Sequence, residues 1–155
     1  MAKILLGDRI AKLGKVTLGC SAAIFDATGQ KLLLTRRSDN GRWCMPGGRV
    51  DPGETVSEAC IREVLEETGL HAHIIRLIGV YSSPNYLLEY ADGERCHIVA
   101  LSFEVEVVGG TLVTTNETTE HGYFSQSEIA GMDVMDLQVD RIQDAFAAQP
   151  IVQVR

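Results

Sequence analysis

An α/β fold with a mixed sheet between helical layers is the architecture this sequence predicts. Three observations predict it. Apolar, β-prone runs occupy residues 16–25, 72–81 and 96–108; helical signals occupy residues 55–68 and 136–148; and the resulting order is strands, helix, strands, helix. Several connections read as hairpins, which argues against a doubly wound parallel sheet. At 155 residues the chain is expected to form one domain, residues 1–155, long enough to bury one substantial core.

Taken in order, residues 16–25 form the first expected strand. Residues 26–30, centred on Thr28-Gly29, turn it back into a second strand at residues 31–35. A loop carrying Arg36, Arg37, Arg42 and Trp43 leads to Pro46-Gly47-Gly48. The first helix begins at Thr55, which with Glu58 makes a capping-box signature, and ends before Gly69, a natural stop. Ile74, Ile75, Leu77, Ile78 and Val80 give residues 72–81 a partial strand alternation. Residues 86–90 and 96–108 flank Asp92-Gly93, a hairpin signal. In the second arm Phe103, Val105 and Val107 alternate with Ser102, Glu104 and Glu106, so one face should be wet. Gly109-Gly110 then turns the chain into residues 111–113, and residues 122–124 form a short strand after a polar loop. The second helix puts Leu137, Val139, Ile142, Ala145 and Phe146 on or near its inner face, and Pro150 ends it.

Composition narrows the function classes. Hydrophobic residues make up 45% and charged residues 23%, values of a soluble globular protein. A net charge of −7 argues against general nucleic-acid or anionic-membrane binding. It is compatible with a small nucleotide, because bound metal would supply local positive charge. Cys20, Cys44, Cys60 and Cys96 are widely spaced and form no Cys-x-x-Cys pair, so buried free thiols and a reducing cytoplasmic location are expected. The N-terminal apolar run is too short for a signal peptide, and no segment reads as a membrane span.

Chemistry concentrates in residues 48–70. Gly47, Gly48 and Gly53, with Pro46 and Pro52 fixing φ nearby, describe a tight loop with free backbone groups. On the helix that follows, at about 100° per residue from Val56, the residues Cys60, Ile61, Val64 and Leu65 span roughly 40° to 180° as an apolar stripe. Glu63 and Glu67 lie on either side of Val56, and Glu66 lies beside Ala59. The acids therefore flank the edge of the apolar face. A solvated acidic face explains such a cluster about as well when it is taken alone, since like-charge pairs cost only about 0.2–0.5 kcal/mol each. The glycine loop at fixed spacing decides against it. Hard oxygen donors with open positions suit Mg²⁺ or Mn²⁺, and no zinc spacing occurs.

The pattern Gly48, five residues, Glu54, seven residues, Arg62-Glu63-Val64, one residue, Glu66-Glu67, one residue, Gly69-Leu70 resembles the Nudix box at every defined position. Seven positions require one specific residue, a chance match of roughly 10⁻⁸ per starting point. The resemblance implies the Nudix α/β/α sandwich and attack of water on phosphorus in a diphosphate linkage, usually of a nucleoside diphosphate joined to another group. It implies Mg²⁺ (or Mn²⁺) held by Glu63 and Glu67, with Glu66 a further ligand or water-activating group and the Gly47 carbonyl completing the shell. Arg62 would pair with Glu54 and hold the loop to the helix, an orienting role favoured over a plain surface pair because both are box positions.

Outside the box, Glu117 and then Glu120 are candidates for the late-loop acid of many Nudix enzymes, shortly before Tyr123, which stands where a Trp is usual. Arg36, Arg37, Arg42 and Arg49 flank the expected cleft in an otherwise acidic chain, and arginine suits bidentate phosphate binding. Alternation puts Arg36 and Arg37 on opposite faces, so one of them is expected to contact substrate. Trp43 reads as a packing residue. Pro84 and Tyr86 stand near positions that mark ADP-ribose pyrophosphatases and dinucleoside polyphosphate hydrolases respectively, so residues 81–86 are expected to line the base or ribose site without naming the base; a hairpin loop explains them equally well. The expected partner is a small nucleoside-diphosphate-type substrate, with the oligomeric state open between monomer and homodimer. A Nudix-fold nucleotide sensor without turnover is the alternative, but it commonly loses box acids, and this chain keeps them.

Overall fold

The computed structural model describes residues 2–155. Its first strands are β1 (Lys3–Leu6), β2 (Lys15–Ala23), β3 (Lys31–Arg37), β4 (Trp43–Cys44) and β5 (Gly47–Arg49), followed by helix α1 (Val56–Thr68). Strands β6 (Leu70–Tyr81), β7 (Tyr86–Glu89), β8 (Arg95–Gly110) and β9 (Thr118–Ser125) come next, then helices α2 (Gln126–Ile129) and α3 (Val139–Ala147) and strand β10 (Gln153–Val154). Among the described residues no helix is long and apolar enough to cross a membrane.

Strand β8 organises the larger sheet. One edge of its 16 residues pairs in parallel with the whole of β2. The other edge pairs antiparallel first with β7 and then with β6. Strand β5 closes the sheet beyond β2, β1 extends it beyond β7, and β10 lies parallel to β6. A second sheet has the order β4-β3-β9.

The expected hairpin at residues 16–35 forms only at its base. Asp26 ties the turn together by accepting from Thr28 Oγ1 and from the N–H groups of Gln30 and Lys31. Phe25 then bridges Leu32, after which the strands part. Both edges of β2 are occupied, by β5 and β8, so β3 finds its hydrogen bonds with β9 instead.

Side-chain alternation divides the interior into two cores. Cys20, Ala22, Ile24 and Leu33 pack with Ala59, Cys60 and Val64 of α1 and with Phe103 and Val105 of β8. Ala23, Leu32, Leu34, Met45 and Ile78 pack with Ile142 and Ala145 of α3. Burial on both faces is why residues 20–24 and 32–34 do not alternate, whereas Val16 and Leu18 at the start of β2 are exposed. Trp43 packs edge-on to Phe124 beside the second core.

Several local expectations are corrected. Ser102 is fully buried and shares a hydrogen bond with Ser21, while Val107 is exposed. Residues 111–113 are not a strand; the Val113 N–H donates to the Thr68 carbonyl and closes the end of α1. Val139 is exposed on α3. All four cysteines are buried and free.

Candidate active site

Helix α1 begins and ends where its sequence dictates. Thr55 and Glu58 bond each other's backbone N–H in a capping box, and Gly69 stops the helix at φ 76°. Its buried face is rotated from the expected one. Leu65 is 41% exposed, whereas Glu63 and Glu67 are 9% and 4% exposed. The helix lies over β5, where the space a side chain at Gly48 would fill holds the Glu63 carboxylate, while Gly47 lies close against the backbone of Cys20 and Ser21.

Oxygen atoms of Glu63, Glu67 and Glu117 come within 4.8 Å of one another. Glu117 is distant in sequence and reaches the group through its neighbour: the buried Thr118 hydroxyl donates to the Glu67 carbonyl at 3.0 Å. A register shift in the β3–β9 pairing between Arg36 and Arg37 marks the same spot, a common use of a bulge beside a site. Glu120 does not join the group; its carboxylate pairs with Arg36 at 2.6 Å. Glu66 is exposed and held by Arg62 at 3.1 Å. Gly47 meets the cluster through its N–H, which donates to Glu67 Oε2 at 3.0 Å.

Arg62 binds the box together. Its guanidinium donates to Glu54 at 2.6 and 3.1 Å, to Glu63 at 2.9 Å and to the Arg49 carbonyl at 3.1 Å. That pairing holds Glu54 well below the usual carboxylate range, at about 2. Burial has the opposite effect on the cluster: it raises Glu63 even against Arg62, and lifts Glu67 to about 8 despite the Gly47 N–H.

A cleft of about 300 Å³ lies along the opposite side of β5. Alternation along the strand turns position 48 toward Glu63 and the Arg49 side chain toward the cleft. Arg49 pairs with Glu94 and stacks 5.3 Å from the centre of the Tyr90 ring. Arg37, held by both oxygens of Asp39, stands between cleft and cluster. Arg36 is absent from the cleft lining and Arg37 present, as opposite faces of one strand require. Tyr86 lines a small neighbouring cavity of about 40 Å³ instead of the cleft.

Residues 16–148 match the family model described as the NUDIX domain. The chain belongs to the NUDIX family. Over 102 residues it is 38% identical to an ADP-ribose pyrophosphatase of Methanocaldococcus jannaschii, covering 64% of this chain and 57% of that one. Over 57 residues it is 53% identical to a putative 8-oxo-dGTP diphosphatase of Bacillus subtilis, covering 37% and 38%. The chain thus spans about half the length of these relatives or less. The crystal structure of an ADP-ribose pyrophosphatase from Streptococcus suis superposes with a TM-score of 0.68, covering 91% of this chain and 98% of that one at 23% identity, which shows the shared Nudix fold.

The donor set of this Nudix chain fits a hard divalent cation. Two buried carboxylates face each other with one N–H on Glu67 and one guanidinium on Glu63, too little positive charge for a buried acidic pair. Glycine at 48 is part of the fit, because a Cβ there would fall on the Glu63 carboxylate. Gly48→Ala should therefore weaken Mg²⁺ or Mn²⁺ affinity by roughly 10- to 100-fold while the protein stays folded, as a metal titration beside a melting curve will show.

Sequence reasoning missed Thr118, Tyr90, Gln138 and Arg141. Thr118 and Tyr90 carry no local signal, because their importance comes from contacts across the fold. Gln138, Arg141 and Asp144 did carry one: three polar residues at helical spacing on the face that also holds Ile142 and Ala145.

Proposed function

We propose that this chain is a metal-dependent pyrophosphohydrolase that cleaves a nucleoside diphosphate linked to another moiety. The observation that carries the reading is the convergence of Glu63, Glu67 and Glu117, from a helix and a distant strand entry, beside an arginine-lined cleft. Glu63 and Glu67, with Glu66 and the Gly47 carbonyl as further donors, would hold Mg²⁺ or Mn²⁺. Bound there, the metal would polarise a phosphoryl oxygen and lower the pKa of water.

The rest is work for the chain's own groups. Arg37 and Arg49 suit phosphate oxygens on the cleft side, since guanidinium forks match that geometry. Arg62, braced by Glu54, keeps Glu63 aimed at the cluster. Glu117 is the exposed member of the acidic group, so it is the one open to water and takes the general-base role. The relatives named for ADP-ribose and for 8-oxo-dGTP agree on a nucleotide diphosphate bond and differ on the base. Four free buried thiols are in keeping with a reducing, cytoplasmic setting.

The test is turnover of a panel of nucleotide sugars, ADP-ribose, dinucleoside polyphosphates and nucleoside triphosphates with Mg²⁺ or Mn²⁺, with EDTA as control. Metal-dependent release of a nucleoside monophosphate is expected; no turnover across the panel would overturn the reading. Within it, Glu117→Gln should lower kcat by roughly 10²- to 10⁴-fold with little change in KM. Near-normal kcat in that variant would move the base role to Glu66.

A further inference from the structure

Two buried side-chain polar atoms have no hydrogen-bond partner among the described residues: Arg141 Nε and Gln138 Oε1. Both residues line the cleft. They are three positions apart at the start of α3, which puts them on one face. Arg141 is 5% exposed and Gln138 is 9% exposed.

Neighbouring charges do not serve Arg141. Asp144, three residues on, accepts from Tyr81 Oη at 2.8 Å and from two nitrogens of Arg155 at 2.9 Å. Arg141 itself lies 5.8 Å from the Tyr81 ring centre, on which it can lean but with which it makes no hydrogen bond. The other cleft arginines are engaged: Arg37 by Asp39, Arg42 by Asp133 and Asp136, and Arg49 by Glu94. A buried guanidinium without a carboxylate partner is costly to the folded chain, and a ligand that supplies the missing acceptor would offset that cost.

We infer that Gln138 and Arg141 read the edge of the substrate's nucleobase, and that the base they fit is a 6-oxopurine such as guanine. This rests on the pyrophosphohydrolase reading above and adds the base to it. An unmet donor and an unmet acceptor belong to residues three positions apart on one helix face that lines the cleft, so a ligand that serves both offers an acceptor and a donor on one edge. A phosphate or carboxylate would satisfy Arg141 but would bring oxygen lone pairs against Gln138 Oε1. Guanine presents N7, O6 and N1–H in sequence along one edge. A guanidinium forks onto O6 and N7, and the amide oxygen accepts from N1–H. Adenine and cytosine place an amino donor where Arg141 needs an acceptor, and uracil lacks the N7 equivalent. The cleft lining also includes Ile4, Leu88, Ile98, Met135 and Leu137, apolar side chains that suit the faces of a base.

Nucleoside monophosphates test this by calorimetry, because they contain no diphosphate bond and binding is read without turnover. The wild-type chain should bind GMP roughly 10- to 100-fold more tightly than AMP or CMP. Arg141→Leu should erase the preference for GMP over 7-deaza-GMP, and Gln138→Leu the preference for GMP over N1-methyl-GMP. Arg141→Leu should also melt no lower than wild type, because it removes an uncompensated buried charge; a structural arginine would lower the melting temperature. The inference is overturned if AMP binds as tightly as GMP, or if both variants keep the wild-type order of preference. It is equally overturned if Arg141→Leu weakens inorganic phosphate and GMP alike, which would make this an anion site. Absence of hydrolysis across the earlier panel would overturn the proposed activity while leaving this binding result standing.

Discussion

Glu67→Gln should reduce kcat by at least about 100-fold and leave the protein folded. The side chain is buried, accepts the Gly47 N–H at 3.0 Å and faces Glu63 and Glu117. Glutamine keeps its shape and the hydrogen bond, so lost activity reports lost charge and not lost packing. Stability separates the two further. In metal-free protein, burial raises the Glu67 carboxyl to about 8 from its ordinary 4.5. A folded-state value above the unfolded one means the contribution is fully present below pH 4.5 and is lost as pH rises through 8. Metal-free wild type should therefore lose stability across that window, by an amount on the order of a few kcal/mol. Glu67→Gln should lose much less, and saturating Mg²⁺ should remove most of the wild-type loss. Melting temperatures at pH 6 and pH 9, with and without metal, will check this; parallel pH dependences of the two metal-free proteins would contradict the burial argument.

Arg62→Ala should be the other large effect. Arg62 contacts Glu54, Glu63, Glu66 and the Arg49 carbonyl, and its removal takes from the buried Glu63 the one guanidinium paired with it among the described residues. Turnover should fall by roughly 10- to 100-fold. Metal affinity should weaken, but less than in Glu67→Gln, because Arg62 orients a ligand and is not one. Stability should also fall, by about 1–3 kcal/mol, the typical cost of a buried polar group left without its partner. Titrating Mn²⁺ into both variants gives the order directly; a larger affinity loss in Arg62→Ala would reverse the assignment of roles.

The helix and its charges were legible in the sequence because their determinants are local. Thr55 and Glu58 are three residues apart, Gly69 needs a left-handed φ, and Arg62 reaches Glu54, Glu63 and Glu66 on its own helix or the loop before it. Spacing along the chain encodes all of these. Residues 72–81 and the hairpin at Asp92-Gly93 were legible for the same reason, since alternation and turn chemistry act over a few residues.

What only the tertiary structure decided involves partners far apart in sequence. Residues 16–35 carry a good hairpin signal, yet β8 and β5 take both edges of β2 and send β3 into another sheet. The helical wheel gave the acids an edge position; in the fold the missing side chain at Gly48 makes room for Glu63, the Gly47 N–H receives Glu67, and the helix settles with both acids inward and Leu65 outward. Glu117 and Glu120 could not be told apart by composition. The Thr118 bond to the Glu67 carbonyl carries one to the cluster, and the pairing of β9 with β3 leaves the other on Arg36. By itself the sequence determined the box, its capped helix and the class of chemistry, because those rest on neighbours a few residues away. Burial, and with it the protonation of Glu67 and the unmet atoms of Gln138 and Arg141, was decided by the packing of strands and helices distant in the chain; helical spacing marks the face that Gln138 and Arg141 share, but not which partners they lack.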